Sequence, residues 1–192
     1  MSGAFRRPEQ LLPETAPADL RRLVGYWIAL AAGRAMPAFA EFDPVAVPWA
    51  LSRLFVVQVV DGGADFVYRL AGERINERHG GSVAGRSVAG LFRAGSVAGI
   101  LDRWRRVVGE PAACYTESRH PTTNGLLLHG RRVVMPLGPA DGPVDHLIGM
   151  AAFEAPVPGR SSIAEPGVVD VRWVPLRPTA GAGPGLFAGP GG

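Results

Sequence analysis

The sequence predicts an α+β fold: one antiparallel sheet with helices packed on one face. Residues 54–60 (LFVVQVV) form a β-branched, apolar run, and after an Asp61-Gly62-Gly63 turn the pattern alternates, with Phe66, Tyr68 and Leu70 on one face and Val67 and Arg69 on the other. Residues 17–33 carry an apolar stripe at helical spacing. Short helical stretches and three further β-rich runs follow the first hairpin, and hairpins at both ends of this order imply antiparallel pairing.

The first helix is expected over residues 19–33, with Asp19 as N-cap, Leu20, Leu23, Val24, Trp27, Ile28 and Ala31 as its buried stripe, and Gly33 as its stop. Pro37, Pro44 and Pro48 forbid a long helix in the segment that follows, and Asp43 before Pro44 suits a turn. Residues 54–60 are apolar on both faces and read as a central strand. The glycines of the following turn accept positive φ without steric cost. Residues 73–79 and 85–92 are short helices punctuated by glycines. Residues 95–108 are a fuller helix with Val97, Ile100, Leu101, Trp104 and Val108 inward and Arg103, Arg105 and Arg106 outward. Strands are expected over 112–119, 126–137 and 144–153, with turns at 121–125 and 138–142.

Length and composition suit one domain with tails. The 192 residues are 47% hydrophobic, enough for a core. Residues 1–16 read as a mobile N-terminal segment, 17–155 as the folded domain, and 156–192 as a Pro/Gly-rich tail too poor in apolar surface to order itself. Within that tail VVDVRWVPL (168–176) stands out. It is read as a hydrophobic tether on its own domain, the alternatives being an added edge strand or a docking segment. All 20 basic residues are Arg, scattered singly or in pairs, and the net charge is only +3. That pattern looks like a GC-rich coding bias and argues against a nucleic-acid surface. Cys114 is the sole cysteine, so no internal disulfide forms. The N-terminus lacks a secretory h-region and no apolar run approaches a membrane span, so the expected location is cytoplasmic.

Motifs for chemistry are sparse. His79, His120, His129 and His146 fall on different elements without metal-ligand spacing, so no metal site is read. Ser82, Ser87 and Ser96 lack a strand-to-helix nucleophile elbow. Glu110, Glu117, Asp141 and Asp145 read as solvated surface. An enzyme in this cavity would need an inward acidic residue, and none is read inward, so the chain is read as not an enzyme.

The ordered motifs YWIALAAGRAMP, FDPVAVPWALSRLFVVQVV, FVYRLAGERI, GGSVAGRS and RRVVMPLGPADGPVDHLIGM resemble those of single-domain bacterial PAS proteins, over roughly residues 20–153. The chain departs from the pattern at Phe39, where an Arg is usual, and at Glu73, where a Thr is usual. The resemblance implies a PAS-like five-stranded antiparallel sheet, a small-molecule pocket between sheet and helices, and homodimerisation through the outer sheet face or the N-terminal amphipathic helix, here Leu20, Val24, Trp27 and Ile28. It implies a sensory or regulatory role in signal transduction, with a signalling partner in another chain. A structural dimerisation adaptor with a filled core and a small α+β enzyme are the rival readings. Haem-binding members carry the iron ligand on the long helix before the third strand. Residues 96–108 contain no His, which leaves His79 and His120 as outside candidates. No cofactor is named by the sequence, and the N-C-R-F-L-type cysteine motif of flavin photosensors is absent.

The ligand candidates are Phe66, Tyr68, Arg69, Trp104, Cys114 and Tyr115. The four aromatics either line a cavity or fill it, and in a domain this small filling is the plainer reading. Arg69 is read as pairing across the sheet with Glu117 or Asp145, the alternative being an anchor for an anionic ligand or a partner. Cys114, on a strand, reads as a small buried core residue rather than a redox sensor.

Overall fold

The computed structural model describes residues 5–91, 94–121, 127–139, 142–154 and 167–176; side chains at 94–97, 120, 121 and 127 lie outside that description, as do residues 122–125 of the expected turn and most of the C-terminal tail. Helix α1 spans Ala18–Ala31, strands β1 and β2 are Leu54–Val60 and Asp65–Ala71, and helices α2, α3 and α4 are Glu73–Arg78, Val88–Leu91 and Ala94–Gly109. Strands β3 to β6 are Ala112–Pro121, Leu127–Leu137, His146–Glu154 and Gly167–Pro175. The sheet has six strands in the order β2-β1-β5-β4-β3-β6, with every neighbouring pair antiparallel.

The sixth strand goes beyond the five implied by the sequence. VVDVRWVP pairs along β3, with Trp173 opposite Cys114 and Asp170 opposite Glu117. The Arg106 guanidinium lies 4.4 Å above the Trp173 ring and ties α4 to this edge. The segment is thus the edge strand that the tether reading passed over. Val169, Val171 and Trp173 alternate with Val168, Asp170 and Arg172, a pattern that names no partner, and only the free edge of β3 shows where their backbone groups go.

Helices α2 and α4 pack on one face of the sheet, as expected, and the N-terminal helix covers the other. Strand parity puts Phe55, Val57, Phe66, Tyr68, Arg132, Gly149 and Ala151 on the face that meets α4, where Trp104 packs on Phe55 and Phe66. The opposite parity, Leu54, Val56, Ile148 and Met150, is equally buried. Here α1 and the chain before it form the cover. The Trp27 indole N–H donates to the Pro136 carbonyl on β4 at 2.9 Å, and Phe5 packs on Trp27 at 5.8 Å. A central sheet with apolar residues on both faces demands two covers.

The segment read as mobile is part of that second cover. Among its described residues, Phe5, Leu11, Leu12 and Ala16 are buried. A 3-10 turn at Pro8–Gln10 holds them in place, its free amides satisfied by the Gln10 side-chain carbonyl, which accepts from Arg6 and Arg7 nitrogen at 2.8 and 2.9 Å. Asp19 is not the N-cap of α1; Pro17 is, and Asp19 in the first turn pairs with Arg53 ahead of β1. The helix ends at Ala32 in the left-handed conformation (φ 48°), one residue before the expected glycine. Asp43 does cap its turn, accepting from Val45 nitrogen at 2.9 Å.

A candidate ligand cavity between sheet and helices

Between the sheet and the helices lies a cavity of about 190 Å³. Its floor is Phe55, Tyr68, Arg132, Ala151 and Phe153, one residue or two from each of four adjacent strands. Its roof is Ile75, Arg78 and His79 at the end of α2, with Ile100 and Trp104 one helical turn apart on α4. The period of 2 on the strands and of 3.6 on the helix turns these side chains toward one another.

Gly149 shapes the floor. A Cβ there would lie 2.3 Å from Phe55 Cζ and 2.7 Å from the Val133 carbonyl oxygen. The missing side chain lets the Phe55 ring lie across β5 and stack on Trp104, centroids 5.4 Å apart and planes 20° from parallel. Tyr68 meets Phe55 edge-on at 6.3 Å, and Phe66 meets Trp104 edge-on at 5.2 Å.

The cavity is mostly apolar, but its charges are all of one sign. Arg78 stands at the rim, its guanidinium 4.0 Å above the Phe153 ring. Arg132 rises from the middle of β4, and its Nε is buried with no hydrogen-bond partner. Burial lowers its affinity for the proton from the usual arginine value; Tyr68 opposes that shift, and the nearby charges of Arg103 and Arg78 add to it. It nonetheless stays charged, since an arginine starts far above neutral pH. No Asp or Glu lines the cavity. Burial first, then the charges of Arg78 and Arg86, also lowers the pKa of His79, so the ring is neutral at pH 7.

Of the residues singled out by the sequence, Tyr68 and Trp104 line this cavity. Phe66 is fully buried beneath Trp104 and fills core instead. The aromatic cluster therefore both fills and lines: the filled-core reading holds for Phe66 and fails beside Trp104. Tyr115, 0% exposed, belongs to the other parity of β3, and its hydroxyl donates to Glu117 at 3.1 Å. Burial and the adjacent Glu117 carboxylate push that phenol up to about 12. Cys114 is buried next to the cavity wall, and its thiol is pushed up to about 12 by desolvation. A thiol so disposed is a poor nucleophile.

Arg69 is exposed on edge strand β2, separated from β3 by three intervening strands, and cannot reach Glu117. Glu117 is held by His129 and Arg131 across the β3–β4 pair, while Asp145 bonds to its neighbour His146 at 2.8 Å. Glu110 pairs with Arg106 at 3.5 Å, so three of the four acidic residues read as solvated surface have local partners, and Asp141 lies outside the described residues. Leu20, Val24 and Trp27 are 0, 0 and 1% exposed within the chain itself, and Ile28 is packed beside them. The stripe is consumed by the sheet and leaves no dimer surface at those three side chains. Among the patterned departures, Phe39 stacks on His146 on the outer face (centroids 3.9 Å) and Glu73 is exposed at the start of α2, both away from the cavity.

Sequence reading missed Arg132, Arg78, Phe55 and Gly149. Strand parity carried a signal for Arg132: it lies in phase with Val134 and, across the ladder, with Cys114. Nothing in the sequence says which side of β4 faces the helices, because both sides are apolar. Among the described residues no group of three or more His, Cys, Asp or Glu is placed to hold a metal ion. No helix among them is long and apolar enough to cross a membrane.

An antiparallel sheet with short helices closing a small apolar chamber over one face defines an α+β domain with an internal pocket. The family model for the PAS domain matches residues 15–152, and the chain belongs to that family. Three solved structures are similar to it in fold. The light-state LOV domain of the blue-light photoreceptor Aureochrome1 is 13% identical with a TM-score of 0.41, covering 57% of this chain and 87% of that one. A LOV protein of Rhodobacter sphaeroides is 15% identical at 0.40, covering 62% and 70%. The VqmA dimer of Vibrio cholerae is 14% identical at 0.45, covering 58% and 52%. Comparison with curated proteins finds no match.

Proposed function

We propose that this protein is a sensory or regulatory PAS module that binds one small organic molecule in the cavity beneath α2 and α4, and that it acts without chemistry of its own. The observation that supports this reading is the chamber itself: about 190 Å³, walled by Phe55, Tyr68, Trp104 and Phe153. A cavity of roughly 150 Å³ already accepts a benzene ring, so the space suits one ring with a small substituent. The site is cytoplasmic in this reading, and the output is read by a partner protein.

Signal transfer follows from where the walls sit. A ligand touching Trp104 on α4 and Ala151 on β5 at once favours one helix–sheet spacing over others, and it shifts the population only by its differential affinity for them. Because α4 is tied to β6 through Arg106 and Trp173, a change in that spacing reaches the open edge of the sheet. A second copy of the chain or a signalling partner would read that edge. Native mass spectrometry on the freshly purified full chain tests the proposal. A retained small molecule, or thermal stabilisation by a one-ring compound, is expected. Substituting Ala151→Trp, which fills the floor, should abolish either signal. A wild-type protein that retains nothing and is stabilised by no one-ring compound refutes it.

A further inference from the structure

We infer that the cavity is built for an acid: its ligand is a single-ring or similarly compact apolar molecule bearing one carboxylate, which the guanidinium of Arg132 receives. The inference rests on the ligand-binding reading above and names the chemical class that reading leaves open.

The argument begins with what Arg132 lacks. Its Nε is buried without a hydrogen-bond partner, and no acidic side chain among the described residues pairs with it. After burial, the groups that act on it are Tyr68 on β2, then the cations Arg103 on α4 and Arg78 on α2, then Cys114, and none of these is an Asp or Glu. Neighbouring Arg131, one residue away on the opposite face, shows the contrast: Glu154 and Glu117 are both placed against it. Both arginines leave Nε without a hydrogen bond, but carboxylates stand beside Arg131, itself only 12% exposed, and none stands beside Arg132. Arg132 is half-buried, and a guanidinium set among apolar walls with no counter-ion loses hydration without gaining a partner. It persists most simply where an external anion completes it.

The surroundings specify the rest of the molecule. A guanidinium offers a planar fork of donors that matches a carboxylate bidentately. Beyond that fork the walls are ring faces: Phe55 and Trp104 stacked on each other, Tyr68 edge-on, and Phe153 under Arg78. Arg78 stands at the rim, where it adds attraction for an incoming anion. His79 can carry no negative charge in either protonation state, so nothing it contributes repels an anion. The volume admits one ring and its acid group, not a nucleotide or a flavin.

The test titrates the full-length protein with benzoate and phenylacetate, and with their neutral isosteres benzamide and phenylacetamide, by calorimetry at fixed salt. The acids are expected to bind at least tenfold more tightly than the matched amides. Arg132→Met, which keeps the stem and removes the charge, should erase that ratio. The same variant without ligand should melt no lower than wild type, because it loses an unpaired charge rather than a bond. Equal binding of acids and amides overturns the inference and leaves the pocket reading standing. Binding of neither overturns both. A clear drop in the melting temperature of ligand-free Arg132→Met shows that a protein group already completes Arg132, and that also overturns it. Any ligand found retained on the purified protein must be an acid; a neutral or cationic one has the same consequence.

Discussion

Gly149→Ala adds one methyl group at the point where β5 passes under Phe55, and the structure sets its cost. The new Cβ would stand 2.3 Å from Phe55 Cζ and 2.8 Å from Phe55 Cε1, contacts a phenyl ring escapes by swinging away. It would also stand 2.7 Å from the Val133 carbonyl oxygen, and that atom cannot swing. Val133 and Gly149 lie in the β4–β5 ladder, paired at Val133–Met150 and Val134–Gly149, so relief requires opening the centre of the sheet. Overpacking of a core usually costs about 1–3 kcal/mol, and the fixed carbonyl places this case near the top of that range. At roughly 2–4 °C per kcal/mol for a protein of this size, the melting temperature should fall by about 6–12 °C. The displaced Phe55 ring has the cavity as its free space, so the near-ultraviolet circular dichroism of Trp104 should change and ligand stabilisation should vanish. Combining the change with Phe55→Leu should cost less than the sum of the two, because the second substitution removes part of the clash. A Gly149→Ala protein that melts within about 1 °C of wild type would refute the packing argument, given the 1–3 kcal/mol expected of such a change.

Two further outcomes follow from groups outside the cavity. Trp27→Phe leaves the Pro136 carbonyl without its 2.9 Å indole donor inside the core, and should lower unfolding free energy by about 1–3 kcal/mol in a urea titration; an unchanged midpoint contradicts the role given to that bond. Cys114 has its thiol raised from 9.0 to about 12 by desolvation, so the folded state resists its ionisation. The stability this contributes is complete below pH 9.0 and is lost as pH rises toward 12. Cys114→Ala should therefore flatten the alkaline fall in melting temperature over that window, and the native thiol should resist iodoacetamide at pH 8 until the protein unfolds. Rapid native-state alkylation would place Cys114 at the surface instead.

Much of the architecture was legible because local chemistry enforces it. Pro37, Pro44 and Pro48 keep that stretch out of a long helix whatever the fold, the Asp61-Gly62-Gly63 turn closes its hairpin, and Leu101 and Trp104 of the α4 stripe are buried as read, although Val107 and not Val108 is its fully buried valine. Trp104 and Tyr68 could be picked as cavity candidates because strand and helix periodicities aim aromatic residues inward. The N-terminal stripe was equally legible as an apolar face, but not its partner: Trp27 is used up on β4 and not on a second copy. Leu11 and Leu12 were lost among prolines and charges, since two adjacent leucines carry no period.

By itself the sequence determined the α+β class, the order of the first nine elements and the family resemblance, since each depends on spacing over a few residues. The tertiary structure alone decided which face of β4 looks at the helices, that residues 167–175 close the sheet as a sixth strand, and that Arg132 and Arg78 share one chamber without a carboxylate. Those outcomes depend on contacts between segments tens of residues apart. A strand that is apolar on both sides gives no local preference for either face, so only the packing of the other elements selects one.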